Sequence, residues 1–207
     1  MTIRKSLRQA LFGLGLLALA GCSAISSIQS ASKPLATFEL TPLPAGVVPA
    51  TRGRRHLEIA LPTATGALDT DSIMIKPTQL QLESLPDARW VNETTELVQL
   101  LLVRSLTNTG RFALVASEGL GPPPDYVLMT DLRAFQAEVI GEDVVVVIRS
   151  TMTLLRDTDG VVVSSGSFAH TVAVPDNSTN RIVAAFDEAM TLHLTEAVEW
   201  LVRNSGG

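Results

Sequence analysis

One thiol, three imidazoles and one run of arginines are the side chains here that could carry chemistry beyond packing. Cys22 is the only cysteine, so it closes no disulfide within the chain and has no second sulfur beside it for a metal. His56, His170 and His193 contain no pair at metal-ligand spacing, and no metal site is expected from them. His193 falls on the apolar face of a helical pattern and reads as a hydrogen-bonded core or core-edge histidine. Asp69-Thr70-Asp71 brings two carboxylates together, but the glycine and distal glutamate of a calcium loop are missing, so it reads as a polar turn. Ser164-Ser165-Gly166-Ser167 lies in a strand-like run with no base nearby in sequence, which suits polar alternation on a sheet face. There is no Gly-x-Ser-x-Gly elbow and no glycine-rich phosphate loop. With no catalytic set in view, the chain reads as a non-enzyme.

Arg52-Gly53-Arg54-Arg55 is the one basic cluster outside the N-terminal segment. Arg52, Arg54 and Arg55 could meet lipid-headgroup phosphates or an acidic partner through charge-assisted hydrogen bonds. The plainer reading is a solvated loop. Trp90 and Trp200, the only tryptophans, stand at the edges of predicted helices, where an interface role and a core-edge role are equally open.

The setting of Cys22 says more than the residue alone. Arg4, Lys5 and Arg8 precede an uncharged run from Leu11 to Ala20, the anatomy of a secretory signal peptide. That run is shorter than the roughly 20 apolar residues a bilayer span needs. It closes on Leu19-Ala20-Gly21-Cys22, which resembles the bacterial lipobox. The resemblance implies cleavage between Gly21 and Cys22, a diacylglycerol on the Cys22 thiol and an acyl chain on its new amino group. No other cofactor is expected. Two or more acyl chains anchor stably, each buried CH₂ contributing about 0.8 kcal/mol.

Loss of residues 1–21 removes three basic residues and no acidic one, leaving 13 basic against 21 acidic residues and a net charge of −8. So acidic a body argues against nucleic acid, whose binders need a basic face. It argues equally against a broad electrostatic grip on anionic lipid, so attachment falls to the acyl chains. Residues 22–34 hold the lipidated cysteine and a Ser/Ala-rich tether that would average roughly 20 Å end to end. Residues 35–207 then read as one soluble domain.

Within that domain, Thr37–Leu40 and His56–Leu61 read as short strands on either side of a loop, and Ile73–Lys76 with Gln79–Glu83 as a hairpin around Pro77. The first helix is predicted from Asn92, as its cap, to Gly110, followed by a strand at Phe112–Val115. Asp125–Val139, Asp143–Leu155 and Val161–Val174 are three β-rich runs joined by turn signals at Gly141-Glu142 and Asp157–Gly160, an antiparallel meander. A last helix runs from Ser178, again as cap, to about Arg203, with Ile182, Phe186, Ala189, His193, Ala197 and Trp200 on one face. The expectation is an α/β domain, with α+β as the alternative: one mixed or antiparallel sheet packed by two main helices.

The order of these motifs resembles the ABC-type transport auxiliary lipoproteins of the PqiC kind. The likeness runs from the lipobox through Phe38-Glu39-Leu40-Thr41-Pro42, Leu68–Pro77, Ala88-Arg89-Trp90, Leu106–Phe112, Asp125–Leu128, Leu132–Phe135 and Ala184–Ala189 to Trp200. No catalytic motif comes with it. The resemblance implies a periplasm-facing lipoprotein beside an ABC permease and ATPase with an MCE-domain partner. Such systems move phospholipid or other hydrophobic compounds across the envelope. Ser23, rather than aspartate, after the lipidated cysteine suggests the outer membrane over the inner. Homo-oligomer formation stays open. Two competing classes are an outer-membrane assembly or envelope-structural lipoprotein, and a lipoprotein that carries lipid in its own apolar cavity.

Overall fold

The axis of the structure is a 15-residue strand, β7 (Tyr126–Ile140), in the computed structural model, which describes residues 34–49 and 51–206. All the described residues but Pro34 and Leu35 fall in one compact unit, Ala36–Gly207. Cys22, the Gly21–Cys22 cleavage point, the signal segment and nearly all of the tether lie outside the described residues.

One edge of β7 pairs antiparallel along its whole length with β8 (Asp143–Arg156), and β8 pairs with β9 (Val161–Val174). This is the meander expected from the turn signals, with Gly141 and Gly160 at positive φ in its two tight turns. The opposite edge of β7 is shared in parallel by three short strands. β2 (His56–Ile59) takes Tyr126–Leu128, β3 (Thr63–Ala64) takes Asp131–Leu132, and β4 (Ser72–Thr78) takes Ala137–Glu138. Beyond β2 lies β6 (Leu114–Ser117), parallel to it. Beyond β4 lie β5 (Gln81–Trp90), antiparallel, and then β1 (Ala36–Phe38), parallel to β5. The sheet is therefore mixed and forks at β7.

Two helices cover one face of it. α1 (Thr94–Thr109) meets β2 and β6, α2 (Thr179–Asn204) meets β8 and β9, and the helices touch each other. α1 ends as its sequence dictates, with Gly110 in the left-handed region (φ 64°) and its N–H donating to the Thr107 carbonyl. On the open face, Thr151 pairs with Ser167 (3.3 Å) and Thr153 with Ser165 (3.2 Å) across β8 and β9, so the serine run is sheet-face polarity as read.

Several sequence expectations need correction. Asn92 does not cap α1: Glu93 holds the cap position without a side-chain bond, and Asn92 Nδ2 donates instead to Glu96 Oε2 (3.2 Å). The helix start is fastened by tertiary contacts, the Thr94 N–H and hydroxyl both donating to the Thr70 carbonyl (3.0 and 2.9 Å). Ser178 does occupy the cap position of α2, but its side chain makes no capping bond there. β5 runs seven residues past the expected Glu83, through Pro86, to Trp90. Pro86 is tolerated because the β4–β5 ladder is interrupted between Ser84 and Arg89, where Asp87 takes a positive φ of 59°.

Candidate functional site

The arginine run is not an isolated loop. Upstream of β2 the chain forms a strap along the α1–β6 connection, where the Gly53 N–H donates to the Arg111 carbonyl (2.8 Å) and the Ala113 N–H to the Arg55 carbonyl (2.9 Å). A Cβ at position 53 would collide with the Arg111 carbonyl oxygen, which is why the cluster carries a glycine at its centre. Gly110, by ending α1 in the left-handed region, turns Arg111 towards the strap. The C-terminal end of α2 completes the enclosure with Val202.

The result is an open cleft of about 860 Å³ whose walls include Arg52, Arg54, Arg55, Arg111, Asp125 and Val202. The four guanidinia are not equivalent. Arg55 Nη1 donates to Asp125 Oδ1 (2.7 Å), and the His56 N–H donates to Asp125 Oδ2 (2.7 Å). The His56 amide first, and then the Arg55 guanidinium, hold the Asp125 carboxyl below its ordinary range. Arg111 donates through Nη2 to the Gly206 carbonyl. Arg52 and Arg54 are exposed and have no carboxylate partner among the described residues. Sequence grouped Arg52, Arg54 and Arg55; it did not reveal Arg111, which joins them across 56 residues of chain.

A second polar cluster lies under α2. His193 is buried at 1 % exposure, as a core histidine should be, and its Nε2 is 2.8 Å from the Ser150 hydroxyl. Its Nδ1 faces His170 Nδ1 at 3.3 Å, and His170 Nε2 reaches Glu196 Oε2 (3.2 Å) at the surface. The order serine–histidine–histidine–glutamate has the look of a nucleophile relay, but Ser150 is 2 % exposed and inside the core, so no substrate carbonyl can approach it. What this geometry does is satisfy buried polar atoms. The sequence signal for it was available in parity: Phe168, His170 and Val172 share the inward face of β9, opposite the face of α2 that carries His193.

Burial, and secondarily the neighbouring His170, push the His193 pKa down from 6.5 to about 4. Because the folded value lies below the unfolded one, the unfolded chain takes up the proton first as pH falls. The stabilisation is thus fully present above pH 6.5 and is lost progressively down to about pH 4. The expected loss is about 3 kcal/mol, read as a falling denaturant midpoint across that range. In His193→Gln the same titration should flatten; an unchanged slope would place the pH dependence elsewhere.

Trp90 is a core residue at 1 % exposure, which closes its interface reading. Trp200 is half-buried and packs edge-on against Phe168 at 5.7 Å.

The family model for the ABC-type transport auxiliary lipoprotein component matches residues 38–198. The chain belongs to this family. Its members' part in transport is auxiliary and not catalytic, and as lipoproteins they are associated with the cell envelope. Among solved structures, a DUF330-family protein from Xanthomonas campestris is 27% identical, with 82% of this chain and 96% of that one covered and a TM-score of 0.73. An uncharacterized protein at 14% identity covers 84% of this chain and 100% of its own, with a TM-score of 0.65. A hypothetical protein from Chlamydia trachomatis, 10% identical over 73% of this chain and 98% of its own, has a TM-score of 0.52; these last two share the fold alone. No curated protein matches. No helix among the described residues of this auxiliary lipoprotein is long and apolar enough to cross a membrane, which says nothing of β-barrels.

Proposed function

We propose that this auxiliary lipoprotein serves an MCE-type ABC system, standing on the periplasmic side and supporting the passage of phospholipid or other hydrophobic compounds across the envelope. The observation that carries the reading is the family match over residues 38–198, which spans all but the margins of the folded unit. Cys22 is the anchor, through its diacylglycerol and N-acyl chains, and Ser23 favours the outer membrane over the inner. The body docks on the MCE-domain protein or the permease and performs no chemistry on the cargo. The cleft beside the strap supports docking over carriage of acyl chains, because five of its nine lining residues are charged.

The test is affinity purification of the tagged, lipidated protein from detergent-solubilised envelopes after mild cross-linking. Recovery of an MCE-domain protein together with a permease and an ATPase is the expected result. Recovery of a β-barrel or of peptidoglycan, without ABC subunits, would overturn it in favour of an assembly or structural lipoprotein.

A further inference from the structure

Arg52 and Arg54 are two guanidinia with no carboxylate partner among the described residues, on a body whose mature charge is −8. An acidic protein does not gather four arginines into one concavity by default. The gathering here is built: the strap is fastened to the α1–β6 connection by two backbone hydrogen bonds, and the position between Arg52 and Arg54 admits no side chain. Asp125, the one carboxylate in the wall among the described residues, accepts from Arg55 and from the His56 amide. It therefore orients Arg55 and leaves Arg52 and Arg54 facing the cleft with no carboxylate partner among the described residues.

We propose that this cleft is a binding site for a phosphate-bearing ligand, with Arg52 and Arg54 as the primary donors and Arg55 and Arg111 as the positioned wall. Guanidinium forks match phosphate oxygens in pairs, which a compact ammonium would not do. The cleft, about 860 Å³, falls in the size range of small-ligand sites and is concave, which suits a headgroup better than the flat track an acidic peptide would use. Val202 and the arginine stems supply an apolar rim at one side, where the first carbons of a glycerol backbone could rest. Only the source of the phosphate, a phospholipid headgroup and not a free anion, rests on the transport reading.

The test uses the mature lipidated protein in micelles of a phosphate-free maltoside detergent, titrated calorimetrically against a protein-free micelle blank with three probes: inorganic phosphate, a water-soluble short-chain phosphatidylglycerol, and the matching diacylglycerol without phosphate. Binding of the phosphatidylglycerol that weakens with added salt, with no binding of the diacylglycerol, is expected. The double variant Arg52→Ala/Arg54→Ala should weaken it by about tenfold or more, while thermal unfolding stays where it was because both side chains are exposed. Inorganic phosphate binding as tightly as the lipid would uphold the phosphate site and remove the lipid as its source, whatever the purification experiment returns. No binding of either phosphate probe, binding unaffected by the double variant, or saturable binding of an acidic peptide in their place would overturn the site.

Discussion

Phe186→Ala is expected to destabilise the domain by about 4 kcal/mol, the range for removing a large aromatic from a closed core. Phe186 has no exposed surface, and it lies 5.2 Å from Trp90 and 5.2 Å from Phe135, centroid to centroid. Trp90 and Phe135 are themselves 5.9 Å apart, edge to face, so the three rings form a closed triangle. The corners come from β5, β7 and α2, three elements far apart in sequence. Removing one ring leaves the other two facing a void that neither the sheet nor the helix can collapse into. Trp90 is the more exposed to the consequence, since its buried indole N–H has no hydrogen-bond partner among the described residues and its seat rests on packing. The measurement is a denaturant titration in which the midpoint falls and the slope is retained. A loss under about 1 kcal/mol would mean that the triangle repacks and does not staple β5 to the helix layer.

The second large effect is all-or-none. Export of residues 23–207 behind a cleavable signal without the lipobox cysteine should move the protein from the membrane fraction to the soluble periplasmic fraction. It should also abolish metabolic labelling by palmitate and impair transport. The reason is the weakness of the alternatives. The folded unit is acidic, so its electrostatic attraction to anionic lipid is poor, and the one basic cleft cannot replace two or three buried acyl chains. Cys22→Ala in the native signal tests the same thiol, with the uncleaved signal segment retained as a control for membrane association of its own. Full transport by the released form would show that the anchor is dispensable and that docking alone places the body.

Elements whose physics is local are legible in the sequence. Both helices follow 3.6-residue periodicity, and β9 has its expected limits, Val161–Val174, because turn residues bracket it on each side. β5 outruns its local signal: past Ser84 its ladder with β4 breaks over Pro86 and Asp87, and pairing of Ala88–Trp90 with β1 and of Arg89 with Ser72 of β4 carries the strand on to Trp90. β3 is two residues long and has no periodicity to detect. Residue type alone makes Asn92 the cap of α1, while the structure fastens that helix end to the Thr70 carbonyl, a contact no local rule contains.

By itself, the sequence determined the lone cysteine in its signal context, the charge balance, the meander with its turns and the two amphipathic helices. These follow from composition and from the periods of helix and strand, which need no knowledge of what lies across the core. Tertiary structure decided the rest: the fork of the sheet at β7, the aromatic triangle, the His170–His193 contact and the entry of Arg111 into the arginine cleft. Each of these joins residues whose distance along the chain is unrelated to their distance in space, so none leaves a periodic trace. The arginine run carried enough charge to be noticed in sequence, and only the strap, the glycine close approach and the end of α1 turned it into a cleft.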